Sequence, residues 1–240
     1  MRIYILYSNG DGGEGRWRGM LRDGEKVPGG RERAALAELL RAASYGRLGD
    51  EQAGRLLDHF GTLRNVLDAH PVALEQYGLT GAQALLLRSM PAMARRRALE
   101  PFGDAPLLND SAPLEDYVRA LYVGVRRERF SVLCLDEKRK LLGVETLGDG
   151  SLNEIDVSPR LLVERVLRSG APLVIFCHNH PNGRIYFSEA DVSSTREALR
   201  YLRSIGVGLI DHLLVAGNAV LSLRKERYLD DALFAGYAPV

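Results

Sequence analysis

The hydrophobic pattern of this chain changes its period after about residue 100. From residue 31 to 98, apolar residues recur at the spacing of short amphipathic helices, as in ERAALAELLRAA and EQAGRLLDHF. Residues 99–112 contain two prolines, a glycine and no periodicity, which predicts a linker between two domains. Residues 1–30 are rich in Gly and Arg and predict a poorly ordered lead-in.

Strand patterns alternate with helical patterns from residue 113 to 229. FSVLCLDEKRKLLGVETL predicts a hairpin around residues 136–140, and APLVIFCH predicts a buried strand. VSPRLLVERVLRSG and SEADVSSTREALRYLRSIG predict helices, and VGLIDHLLVAG with AVLSL predicts a second strand pair. The whole chain is therefore predicted to be α+β, with a small helical domain, a mixed-sheet domain and a tail at 230–240.

The composition excludes some classes of partner. The chain has 240 residues, and Lys+Arg 32 nearly balances Asp+Glu 31, giving a formal net charge of +1. A strong electrostatic grip on nucleic acid needs clustered positive charge, so this balance makes nucleic acid a doubtful partner. No segment approaches the roughly 18 apolar residues of a membrane span. Cys134 and Cys177 lie in apolar runs and predict reduced, buried thiols in a cytoplasmic protein.

Residues that suit a zinc ion surround the end of the predicted strand APLVIFCH. In an extended chain, residues i and i+2 point to the same face, so His178 and His180 converge at the strand exit. Pro181 and Gly183 turn the chain, and Asp191 falls in the first turn of the next predicted helix. Two imidazoles and one carboxylate leave the fourth tetrahedral position open, as in catalytic zinc sites. The pattern predicts one Zn²⁺ per chain.

The same residues also fit simpler roles. Ser188, followed three residues later by Asp191, is typical of a helix N-cap worth about 1 kcal/mol. A His-x-His pair at a strand end is also found without any metal. The two roles are compatible, since a capping serine can aim its helix and hydrogen-bond a metal-bound water. His212 is not required by a three-ligand site and fits either a core role or support for a ligand.

Taken together, these residues resemble a known signature. His178-x-His180, seven residues, Ser188, two residues and Asp191 look like the JAMM motif of MPN/JAB metalloproteases. The JAMM glutamate then falls on Glu145 in LLGVETLGDGS, whose Glu and final Gly-Ser match the family's Glu and Gly-Thr. The resemblance implies that Glu145 takes a proton from the zinc-bound water and passes it to the leaving group, while Ser188 supports the water or the developing oxyanion. The implied reaction is hydrolysis of an amide or isopeptide bond in a peptide or protein substrate.

A further set of features resembles the bacterial RadC family of UPF0758 type, from about residue 30 to 229. These features are the variant His-Asn-His-Pro-x-Gly, the later strand with Asp211-His212-Leu213 and the helical first half. The loop after the histidines departs from that family, because NGRIYF replaces a Ser-Gly followed by acidic residues and proline. This departure bears on the substrate rather than on the metal.

The helical domain of that family resembles a helix-hairpin-helix, whose Gly-x-Gly turn offers backbone N–H groups to a DNA phosphate. Here residues 78–81 read Gly-Leu-Thr-Gly, so Thr80 replaces the second glycine, and a commonly basic position is Gln83. No nucleic-acid-binding residue is therefore predicted. A domain for packing or partner docking fits at least as well.

Three functions can be compared on these residues. The first is a zinc metallohydrolase acting on peptides or isopeptides. The second is a DNA-associated repair or recombination protein of RadC type, whose zinc domain is not a protease. The third, a non-catalytic MPN scaffold, is disfavoured because such scaffolds typically lose metal ligands and none is missing here. The ligand set favours the first.

Overall fold

The computed structural model describes residues 29–109, 111–149 and 159–234, and two short strands near the start of the chain. These are β1 (Tyr7–Ser8) and β2 (Glu14–Gly15), which pair antiparallel. Most of the predicted lead-in over residues 1–30 and most of the predicted tail over 230–240 lie outside the described residues.

Five helices follow, as the helical periodicity predicts. They are α1 (Gly29–Ala43), α2 (Asp50–Phe60), α3 (Leu63–Asp68), α4 (Pro71–Glu75) and α5 (Gly81–Leu99). Their apolar faces share a core that includes the buried residues Leu36, Leu40, Leu56, Val66, Leu74 and Leu87. The turns between helices are tight. Gly61 after α2 and Gly78 before α5 have φ angles of +83° and +88°, a region that glycine enters without strain.

The chain divides into two compact units, Met1–Met90 and Pro91–Val240, so the division falls within α5. Residues 99–109, the first part of the predicted linker, belong to the second unit. Leu108 is fully buried, its N–H donates to the Arg139 carbonyl at 2.9 Å, and Leu107 forms a bridge with Lys140. An aperiodic segment can follow a sheet edge as well as join two domains, and the sequence pattern does not separate these cases.

The second unit contains a mixed five-stranded sheet. Its strands are β3 (Arg129–Leu135), β4 (Leu141–Asp149), β5 (Leu173–Asn179), β6 (Gly208–Ala216) and β7 (Ala219–Ser222). They lie in the order β4-β3-β5-β6-β7, and only the β5–β6 pair is parallel. The helices are α6 (Ser111–Leu121), α7 (Pro159–Ser169) and α8 (Glu189–Ser204). The predicted α+β class and the predicted hairpin between β3 and β4 are confirmed.

Helices cover both faces of this sheet. On one face, α7 and α8 pack over Phe130, Val132 and Phe176, and on the other α6 packs over Leu133 and Ile175. Burial on both sides explains why β5 reads as a continuous apolar run rather than as an alternating one. Within the described ranges, no helix is both long and apolar enough to cross a membrane.

Candidate metal centre

His178 and His180 lie at the carboxyl end of β5. His178 pairs in register with Phe130 of β3 and Leu214 of β6, so its backbone is held from both sides. His180 follows the end of the strand, and its N–H continues the ladder to the Val215 carbonyl at 2.8 Å. Both imidazoles are buried, and their Nε2 atoms are 3.2 Å apart. The structure thus brings the two histidines together as the i, i+2 spacing predicts.

Asp191 reaches the same point from the first turn of α8. Ser188 is the N-cap of this helix, and the two residues form a capping box. The Ser188 N–H and hydroxyl donate to Asp191 Oδ2 at 2.8 and 2.7 Å, and the Asp191 N–H donates to Ser188 Oγ at 3.1 Å. These bonds occupy Oδ2. The other oxygen, Oδ1, lies 3.6 Å from His178 Nε2.

The three side chains fit a zinc ion by geometry and by chemistry. Their ligand atoms all lie within 4.8 Å of one another. For zinc bonds of about 2.0–2.1 Å, neighbouring ligand atoms in a tetrahedron are about 3.3 Å apart, close to the observed 3.2 and 3.6 Å. His180 Nδ1 lies 2.8 Å from the Arg184 carbonyl, which can only accept, so His180 Nε2 presents a lone pair to the site. The assignment of His178, His180 and Asp191 as metal ligands remains a prediction.

Burial favours the neutral form of His178 and His212. Desolvation lowers the pKa of His178 to about 4, with a smaller contribution from His180 and against the opposing effect of Asp191. Desolvation also lowers the pKa of His212 well below its usual value, helped by His178 and His180. Neutral imidazole is the form that binds a metal ion.

Glu145 is not part of the His178–His180–Asp191 cluster. It lies on β4 opposite Val132 of β3, whereas His178 lies on β5 opposite Phe130 of the same strand. Strand spacing therefore places the Cα atoms of Glu145 and His178 about 12 Å apart. The register of Glu145 with Val132 places it on the sheet face that α7 and α8 cover. Its carboxylate is partly exposed and lies 3.4 Å from Arg165 Nη1 of α7. The Gly150-Ser151 pair that completes the family match lies outside the described residues.

Two further buried residues, His212 and Thr195, contact this cluster, and the sequence pattern indicates only the first of them. His212 of β6 is fully buried, and its Nε2 lies 2.8 Å from His178 Nδ1. Thr195 of α8 lies 2.7 Å from the other nitrogen of His212. A histidine inside an apolar strand was the only sequence signal for this arrangement. Nothing marked Thr195, because it meets His212 only once α8 is packed on β6.

Asp211, next to His212 in sequence, has a different environment. Its carboxylate accepts hydrogen bonds from the N–H groups of His212 and Arg224 and from the Ser222 hydroxyl. Burial raises its pKa, and these three bonds act in the opposite direction. Asp211 therefore ties β6 to β7 and to the turn that follows, and it does not join the three clustered ligands.

The turn at residues 78–81 in the helical unit is closed by its own side chains. The Thr80 N–H donates to Gln83 Oε1 at 2.9 Å, and the Gln83 N–H donates to Thr80 Oγ1 at 3.3 Å. This reciprocal pair is a capping box at the start of α5. It occupies two of the backbone donors that a phosphate would need.

A family model and several known proteins that resemble this chain indicate the same family. A family model described as the RadC-like JAB domain matches residues 108–228. A UPF0758 protein of Pseudomonas fluorescens (strain SBW25) is 33% identical over 195 residues, which cover 81% of this chain and 87% of that protein. A UPF0758 protein of Cellvibrio japonicus has the same identity and coverage, and one of Burkholderia thailandensis is 36% identical over 74% of this chain and 68% of its own length.

Proposed function

Since this chain belongs to the RadC-like JAB domain family, we propose that it is a zinc-dependent hydrolase of JAMM type that cleaves peptide or isopeptide bonds. The observation that carries the proposal is the convergence of His178, His180 and Asp191, whose ligand atoms lie within 4.8 Å of one another. His178 Nε2 lies 3.2 Å from His180 Nε2 and 3.6 Å from Asp191 Oδ1, close to the spacing of a tetrahedral site. Three ligands of this kind leave one coordination position for the reaction, whereas structural zinc sites use all four for protein side chains.

In the proposed mechanism His178, His180 and Asp191 hold the ion. A zinc ion in such a site supplies Lewis acidity, which lowers the pKa of water to about 7 and polarises a carbonyl group. Ser188 holds Asp191 Oδ2 through two hydrogen bonds and so turns Oδ1 toward the histidines. Its hydroxyl has a single proton, so it would have to release Asp191 Oδ2 before it could donate to a developing oxyanion.

Glu145 is the proposed proton-transfer group. To act as one, its carboxylate has to leave Arg165 and turn toward the ligands along the face that it shares with Val132. The side chains of Glu145 and Arg165 are 28% and 39% exposed, and an ion pair this open to water contributes only about 0–1 kcal/mol. Breaking it is therefore a small cost. Glu145 would then take a proton from the attacking water and deliver it to the leaving nitrogen.

The loop between the ligands supports a peptide or protein as substrate. Ile185 and Tyr186 are large apolar side chains that are 41% and 50% exposed, and they lie between His180 and Asp191. The backbone of this loop is fixed to the site, because His180 Nδ1 bonds to the Arg184 carbonyl. Exposed aromatic and aliphatic groups on an anchored loop are suited to contact an extended polypeptide.

The experiment compares purified wild-type protein with Glu145→Gln. We expect about one zinc per chain in both proteins by metal analysis, and peptidase or isopeptidase turnover in the wild type only. Glu137→Gln on the exposed β3–β4 turn makes the same chemical change away from the site and should keep full activity. A nuclease screen runs in parallel. Loss of zinc from Glu145→Gln would show that Glu145 is a ligand, and nuclease activity that depends on Glu145, without peptidase activity, would refute the proposed substrate class.

A further inference from the structure

A chain of hydrogen bonds runs from the backbone of α8 to the first metal ligand. Thr195 Oγ1 lies 2.6 Å from the Asp191 carbonyl and 2.7 Å from His212 Nδ1, and His212 Nε2 lies 2.8 Å from His178 Nδ1. All three side chains are buried. Each contact needs one proton, and each residue in the chain has only one to give. The protons must therefore all point in the same direction along the chain.

The end at Thr195 fixes that direction. A backbone carbonyl can only accept, and two oxygen atoms 2.6 Å apart repel each other unless a proton lies between them. The Thr195 hydroxyl therefore donates to Asp191, as threonine commonly does to the carbonyl four residues earlier in a helix. Its oxygen must then accept from His212 Nδ1–H. Neutral His212 consequently has a bare Nε2, which accepts from His178 Nδ1–H.

From this geometry we infer that Thr195 and His212 are positioning residues that hold His178 in the Nδ1–H tautomer, with the Nε2 lone pair directed at the metal. The inference rests on the proposed function for its meaning, since the tautomer matters because His178 is a ligand. His180 is fixed in the same tautomer by the Arg184 carbonyl. Two bare Nε2 atoms then face each other at 3.2 Å, an arrangement that a cation between them stabilises.

If the protons pointed in the opposite direction along this chain, the two facing histidines would be hydrogen-bonded to each other without a metal ion. If His212 carried its proton on Nε2, His178 would carry its own on Nε2 and could donate it to His180 across the 3.2 Å gap. Metal binding would then have to remove that proton. Thr195 decides between these two states, although it does not contact the three ligating atoms.

Thr195→Val tests this inference with little change in volume. Without the hydroxyl, His212 Nδ1–H loses its acceptor, so we expect the chain to reverse and both His178 and His212 to take the Nε2–H tautomer. Thr195→Ser keeps the hydroxyl and is the matched control. His212→Ala is less informative, because it would leave a cavity at a fully buried position.

Two measurements are needed. Long-range ¹H–¹⁵N correlation spectra of the metal-free proteins identify the histidine tautomers, and competition with a chromophoric chelator gives the zinc dissociation constant. We expect Nδ1–H for His178 and His212 in the wild type and in Thr195→Ser, and Nε2–H for both in Thr195→Val. We expect Thr195→Val to bind zinc about 10- to 100-fold more weakly, the usual effect of removing support behind a ligand, and Thr195→Ser to stay within about threefold.

The two readouts separate this inference from the proposed function. Nε2–H tautomers in the metal-free wild type would overturn the inference, and so would equal zinc affinity in wild type and Thr195→Val. The tautomers are read without metal, so they test the hydrogen-bond chain even if the wild type binds no zinc. Absence of zinc binding by the wild type would overturn the proposed function alone.

Discussion

The two oxygens of Asp191 have separate partners, so a single substitution can remove the proposed metal ligand and keep the helix cap. In Asp191→Asn, the amide oxygen can take the place of Oδ2 and accept from the Ser188 N–H and hydroxyl. The amide nitrogen then takes the place of Oδ1, 3.6 Å from His178 Nε2, where it can donate to the imidazole lone pair. We expect the metal-free variant to fold normally and to bind no zinc.

The expected energies follow from these bonds. Losing the charge on the acceptor weakens the two Ser188 bonds by roughly 1 kcal/mol each, since hydrogen bonds to charged groups contribute about 1.5–3 kcal/mol and neutral ones about 1. A new amide-to-His178 bond returns about 1 kcal/mol, and the desolvation cost of a buried carboxylate disappears. The free energy of unfolding in chelator should therefore stay within about 1 kcal/mol of wild type. Asp191→Ala loses the cap acceptor and should be about 1–2 kcal/mol less stable.

Urea unfolding followed by circular dichroism, in chelator and in excess zinc, measures both effects. With free zinc at about a hundred times its dissociation constant, wild type should gain about 2.7 kcal/mol and Asp191→Asn nothing. Equal zinc stabilisation in the two proteins would refute the ligand role of Asp191. A loss of more than about 3 kcal/mol by Asp191→Asn in chelator, beyond the cost of a buried hydrogen bond, would instead show that its charge is needed for folding.

Three other predictions test the fold and the helical unit. Burial raises the pKa of both the Cys134 and Cys177 thiols, that of Cys177 to about 12. Both should therefore react with a thiol reagent only when the protein unfolds, and rapid labelling of the native protein would contradict their buried positions. Leu202→Ala should lower the free energy of unfolding by about 2–5 kcal/mol in a denaturant titration, because Leu202 is fully buried between α8 and the sheet; a loss below about 1 kcal/mol would contradict this packing. The Thr80–Gln83 capping box leaves fewer backbone donors for a phosphate. DNA should therefore bind no tighter than the roughly 10⁻⁴–10⁻⁶ M of non-specific contacts at physiological salt. Nanomolar affinity by anisotropy that falls on substitution of Thr80 would instead favour the DNA-associated function over the hydrolase.

The periodicity of the sequence predicts most of the fold because the apolar residues of most helices and strands follow one recognisable spacing. Helical spacing marks α1 and α2, and the continuous apolar run of β5 marks a strand buried on both faces. Residues 99–109 have no such single pattern. Their prolines and lack of period resemble a linker, yet Leu108 is fully buried and bonded to the β3–β4 turn. Such packing depends on shape at the sheet edge, and sequence spacing does not encode it.

The surroundings of Glu145 are likewise not predictable from the sequence motif. The motif match assigns it a role, but the sequence does not show that β4 lies two strands from β5 or that Arg165 of α7 lies within 3.4 Å of its carboxylate. Both facts arise from the order of strands and the placement of a helix, which are properties of the assembled sheet. The proposed mechanism therefore contains a movement of Glu145 that the motif alone does not suggest.

The three proposed ligands are each held from behind by a different part of the fold. The Arg184 carbonyl holds His180, Ser188 holds Asp191, and His212 holds His178. The first two partners are four and three residues from their ligands in the chain, so a short motif can specify them, and the Ser188–Asp191 cap was predicted from its spacing. The third partner is 34 residues away and meets His178 only when β6 pairs with β5. Nearby residues in the sequence thus position His180 and Asp191, whereas His178 is positioned only when the sheet forms. Zinc affinity should accordingly respond to substitutions that loosen the β5–β6 pair, even where they leave the His-x-His loop and the start of α8 unchanged.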